Sequence, residues 1–79
     1  MDRALERLRQ LLRFVEPLDP GKSYSLEELA RIWSLGTEEA RKVLRKLRRE
    51  GLIKRTRRGR YRASLAAQAL VEALRGASG

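Results

Sequence analysis

The chain is predicted to be mostly α-helical with one small β-hairpin, in the order α-β-α-α-β-β-α, forming a single domain over residues 1–79. Three observations predict this. Apolar residues recur at three- and four-residue spacing in separate stretches, the period of amphipathic helices. Pro, Gly and Ser/Thr punctuation divides those stretches at positions where helices stop and start. Between the third and fourth stretches, Leu52 to Ala63 reads as two short strands around Gly59. With 79 residues the core must be small, and there is no room for a second domain.

The first helix is predicted over residues 2–15. Leu5, Leu8, Leu12 and Val15 form its stripe, widened by Ala4 and Leu11. Pro17 and Pro20 stop it, and Asp19-Pro20-Gly21 is a turn signal. Lys22 to Ser25 is extended and long enough for one brief strand. The second helix, residues 26–33, opens on the capping box Ser25-Leu-Glu-Glu28 and buries Leu26, Leu29, Ala30 and Trp33. After a Ser34-Leu35-Gly36 turn, the third helix spans residues 37–50. Thr37 is its expected N-cap, Glu38 and Glu39 sit in its first turn, and Gly51 is its expected left-handed C-cap. The hairpin occupies residues 52–63. Ser64 then caps a fourth helix over residues 65–75.

Charge is distributed unevenly along this order. Met1–Gly36 is neutral, with six basic and six acidic residues, so the whole excess of +9 lies beyond it. Of the 22 residues from Arg41 to Arg62, 12 are Lys or Arg and one, Glu50, is acidic. A polyanion partner explains such focusing, because each cation set near a phosphate releases a condensed counterion. Arginine outnumbers lysine 15 to four. That ratio suits bidentate phosphate and guanine contacts, and a GC-rich genome accounts for it equally well.

Several classes are disfavoured. The absence of Cys and His removes disulfides, thiolate metal sites and the commonest general base. No cofactor, metal site or effector pocket is legible, and the ten carboxylates form no pair at a cleft, so an enzyme is not expected. No apolar run approaches the roughly 18 residues of a membrane span, and the N-terminus lacks a signal peptide's apolar core. No membrane partner is therefore expected, and the expected location is cytoplasmic and nucleoid-associated.

The second and third helices form a helix-turn-helix. Together with Leu47-Arg-Arg-Glu-Gly-Leu-Ile-Lys-Arg55 and Gly59-Arg-Tyr-Arg62, the segment from Ser23 to Ala63 resembles the winged helix-turn-helix family of small prokaryotic transcriptional regulators. The resemblance implies that Ala30 lets the two helices pack closely, and that Leu35, Ala40 and Val43 are apolar contacts. Where the family usually has glycine in the turn, this chain has Ser34. A positive φ there costs serine about 1 kcal/mol; alternatively the turn is one residue longer and Gly36 takes the bend.

The implied function is double-stranded DNA binding, with the third helix as recognition helix in the major groove. Its candidate contacts are Thr37, Glu38, Arg41, Lys42, Arg45, Lys46, Arg48 and Arg49. Arg41, Lys42 and Arg45 suit guanine edges, Glu38 suits cytosine N4 or serves the helix dipole, and Arg48 and Arg49 suit phosphates. On a merely solvated face, Glu38 and Lys42 would pair at i,i+4. The wing offers Lys54, Arg55, Arg57, Arg58, Arg60 and Arg62 to the backbone or minor groove. Tyr61 and Trp33 are expected in the core.

The fourth helix is apolar almost all round, with Gln68, Glu72 and Arg75 on one line. A homodimer through the first and fourth helices, using Leu65, Leu70, Val71 and Leu74, is therefore expected; the alternative is packing of these helices within one chain. Three other functions stay open: a non-specific architectural DNA binder, an RNA binder, and a winged-helix protein–protein adaptor.

Overall fold

The computed structural model describes residues 3–78, with side chains to residue 76. Its elements are α1 (Arg3–Val15), α2 (Leu26–Ile32), α3 (Thr37–Arg49), β1 (Ile53–Arg55), a 3-10 turn (Arg57–Gly59), β2 (Tyr61–Ala63) and α4 (Leu65–Ser78). The chain is thus a helix-rich domain carrying a two-stranded antiparallel sheet. The expected helix start at Asp2 lies outside the described residues. Among those residues, no helix is long and apolar enough to cross a membrane.

The core gathers where the four helices and the hairpin meet. Leu29, Leu47 and Leu52 are its largest fully buried side chains. α1 contributes its C-terminal half, Leu11, Leu12 and Val15, whereas Leu5 is 48% exposed. The expected stripe therefore holds for about two turns. Trp33 joins α2 to α1: its indole N–H donates to the Phe14 carbonyl at 2.8 Å, and the two rings stand edge to face at 5.4 Å.

Local chemistry sets the boundaries. α2 begins on the capping box: Ser25 Oγ accepts from the Glu28 N–H at 3.1 Å, and Glu28 Oε1 accepts from the Ser25 N–H at 2.8 Å. Both α2 and α3 end in a Schellman motif. In α3, Leu52 N–H donates to the Leu47 carbonyl at 2.9 Å across Gly51, whose φ is +72°. In α2, Leu35 N–H donates to the Ala30 carbonyl at 2.8 Å across Ser34, whose φ is +56°. Serine thus takes the left-handed bend, not Gly36, whose φ is −71°. The expectation that Thr37 caps α3 is corrected. Gly36 is the N-cap, no side chain caps the helix, and Thr37 is its first helical residue.

The predicted strand at Lys22–Ser25 shrinks to one bridge, with Tyr24 and Tyr61 exchanging backbone hydrogen bonds of 2.7 and 2.8 Å. The reason is local. Lys22 N–H closes a turn on the Asp19 carbonyl, and Ser25 is already committed to capping α2, so little extended backbone remains between them. Tyr24 is buried, accepts the Asp19 N–H at its hydroxyl and carries the Lys22 ammonium over its ring.

The two hairpin strands are shorter than predicted. Leu52 is spent on closing α3, and Thr56 N–H donates to the Arg60 carbonyl where the turn opens. Ser64 locks the hairpin to α4. Its buried hydroxyl donates to the Gly51 carbonyl at 2.7 Å and accepts the Ala67 N–H at 3.1 Å, the capping bond expected of it. α4 runs on to Ser78, past the expected end at Arg75.

Candidate nucleic-acid interface

α3 is fixed in rotation by Ala40, Leu44 and Leu47, all buried. At 100° per residue, the remaining circumference divides into three strips. Glu38, Lys42 and Arg49 point away from the core and are exposed. Arg41, Arg45 and Arg48 lie on the flank towards the hairpin. Val43 and Lys46 lie on the flank towards α1.

The hairpin flank is the most strongly charged. Arg41, Arg45, Arg48 and Arg49, with Leu44 and Tyr61, line a groove of about 480 Å³ between α3 and β2. Among the described residues, none of these four guanidinium groups makes a side-chain hydrogen bond or an ion pair. Four unneutralised cations along one groove repel each other, so the arrangement favours a bound anion. Tyr61 is half-buried: it packs on the core, as expected, and also forms part of the groove. Its backbone is held on both sides, by Tyr24 and by Arg55.

The hairpin adds a second charged surface. The register pairs Ile53 with Ala63, Lys54 with Arg62, and Arg55 with Tyr61. Ile53 and Ala63 are buried, so alternation turns Lys54 and Arg62 outward together. Like charges directly opposite each other destabilise a strand pair. At the tip, Arg57 and Arg58 are exposed, and Arg58 has a φ of +66°. That conformation costs a non-glycine residue about 1–2 kcal/mol. Gly59 follows at +68°, and a side chain there would meet the Arg55 guanidinium lying 3.6 Å away.

Not every predicted contact is available. Arg60, grouped in the sequence with the tip, is engaged within the chain. Its Nη2 donates to the Ser23 carbonyl and to Glu28 Oε1, both at 2.9 Å, and its Nε donates to Ser23 Oγ at 3.1 Å. The Ser25 N–H in the first place, and then the Arg60 charge, hold the Glu28 carboxyl below the usual carboxylate range, against an opposing push from desolvation. Lys46 is exposed but lines a different cleft, of about 390 Å³, between α1 and α3, which Arg49 also borders. Lys42 is 3.6 Å from Glu39, at i,i+3, rather than paired with Glu38 as the solvated-face alternative expected.

Nothing in the sequence marks Ser23 and Glu28 as partners of the hairpin. They lie 37 and 32 residues from Arg60, and no sequence periodicity connects positions so far apart. The expected dimer residues are also redistributed. Leu70, Val71 and Leu74 are half-buried against the chain's own core, while Leu65 is 80% exposed. No family model, curated protein or solved structure matches the chain.

Proposed function

We propose that the chain binds double-stranded DNA as a small winged helix-turn-helix transcriptional regulator, with α3 in the major groove and the hairpin as a basic wing on the backbone or minor groove. The observation that carries this reading is the groove between α3 and β2, where four unpaired arginines converge. The outward Lys54–Arg62 pair and the strained Arg58 at the tip support it, since both cost stability and both gather positive charge. Uncapped by any side chain, the first N–H groups of α3 are open to a phosphate, although Glu38 and Glu39 nearby limit that contribution.

The test is an anisotropy titration of random duplex, genomic fragments and a structured RNA over a range of salt. Duplex is expected to bind more tightly than RNA, with a log–log salt slope of roughly −5 to −8 for six to nine phosphates neutralised. Fragments that hold on at high salt mark sequence-specific regulation, whereas equal binding of all duplexes marks an architectural role. No binding to any nucleic acid at low salt removes the reading.

The chain is further proposed to act as a homodimer, which would set two recognition helices on half-sites one helical turn apart. The surface for this is narrower than the sequence suggested. It consists of Leu65 with Ala66, Ala69 and Ala73, an exposed strip of α4 that bears no cation. Repulsion between two chains of net charge +9 is weaker there than at the arginine-lined groove of α3. Light scattering is expected to give twice the 9.1 kDa of one chain, falling to one chain for Leu65→Glu. A wild-type mass of one chain at micromolar concentration rules the dimer out.

A further inference from the structure

We propose that Glu28 and Arg60 form a latch that fixes the wing at a set distance from α3, making both positioning residues for duplex binding rather than contacts to it. The binding side of this inference rests on the function proposed above; the structural side stands without it.

Strands of three residues are marginal when isolated, so the wing takes its orientation from what holds it. Two attachments tie β2 and the residue before it to α2 and the segment preceding it: the Tyr24–Tyr61 backbone bridge and the three hydrogen bonds of Arg60, two to Ser23 and one to Glu28. The anchor is rigid, because the Glu28 oxygen that receives Arg60 also accepts the Ser25 N–H in the α2 capping box. α2 packs directly on α3. A path therefore runs from α3 through α2, Glu28 and Arg60 to the wing, and the groove of arginines lies between its two ends, α3 and Tyr61. Arg60 spends these donors within the chain, while Arg57 and Arg58 beside it spend none of theirs.

Two substitutions separate positioning from simple charge. Glu28→Gln keeps a capping-box side chain at the third helical position but removes a negative charge. If charge alone governs binding, this variant binds duplex more tightly than wild type. The latch predicts the opposite, a loss of about two- to fivefold, the range expected for an exposed ion pair. Arg60→Lys keeps the charge but not the planar fork, and the latch predicts a loss of the same size. The double variant is expected to be no weaker than either single one, because each breaks the same contact. Both single variants should keep the wild-type salt slope, whereas Arg57→Ala should flatten it by about one unit.

Amide hydrogen exchange supplies a readout that needs no DNA. The Thr56 and Tyr61 N–H groups are bonded to the Arg60 and Tyr24 carbonyls, and both should exchange faster in Glu28→Gln and Arg60→Lys than in wild type. Unchanged exchange at both amides, or variants that bind duplex as tightly as wild type or tighter, overturns the latch. If wild type binds no duplex, the exchange rates alone decide it.

Discussion

Replacing Arg41, Arg45 and Arg48 together by glutamine is expected to lower duplex affinity at about 0.1 M salt by two to three orders of magnitude and to flatten the salt slope by about 2.7 units. The three share the flank of α3 that faces the wing, and all line its groove. They are exposed and unpaired among the described residues, so their removal should leave the fold intact or slightly relieve it. The control removes equal charge elsewhere. Arg3, Arg9 and Arg75 are exposed on α1 and α4, away from the groove, and their triple glutamine variant should lose less than about tenfold. Equal losses from the two triples would mean that net charge, not a built surface, draws DNA to this chain. Anisotropy titration of both triples against one duplex decides between them.

The second large effect concerns stability. Leu47→Ala is expected to cost about 2–5 kcal/mol, the range for deleting a fully buried leucine. Leu47 is completely buried, and its carbonyl receives the Leu52 N–H that closes α3, so it joins α3 to the hairpin. A domain of this length has only about 4–12 kcal/mol of stability in total. The variant should therefore show a much lower urea midpoint or be largely unfolded at 37 °C. Leu65→Ala removes the same side chain from a position 80% exposed and should change the midpoint little when measured below the concentration at which chains associate.

Which features were legible in the sequence depended on how local their chemistry is. Ser25 and Glu28 stand three residues apart, so their capping box could be read directly, and both of its bonds form. Gly51 likewise marks the end of α3 by its own backbone freedom. Thr37 was misplaced by one residue because glycine and threonine both begin helices, and here Gly36 holds the N-cap. The focused charge on α3 and the hairpin was visible, but its division into a wing-side and an α1-side strip was not. The apolar stripe of Ala40, Leu44 and Leu47 gives the helix rotation from the sequence, but which neighbour covers each flank is a tertiary fact. Arg60 shows the same limit more sharply: in sequence it is one more cation at the tip, while in the fold it is tied to Ser23 and Glu28. The apolar circumference of α4 was read as surplus surface, yet Leu70, Val71 and Leu74 find cover on the chain's own core, leaving mainly small alanines and Leu65 outside.

One surface, α3 together with the hairpin, is proposed to meet duplex DNA. The most direct test is a map of amide chemical-shift changes as a short duplex is added to the ¹⁵N-labelled chain. The largest shifts should fall between Arg41 and Arg49 and between Lys54 and Arg62, with α4 little affected. Shifts centred on α1 and α4, or none on a duplex that anisotropy shows to be bound, would contradict the account.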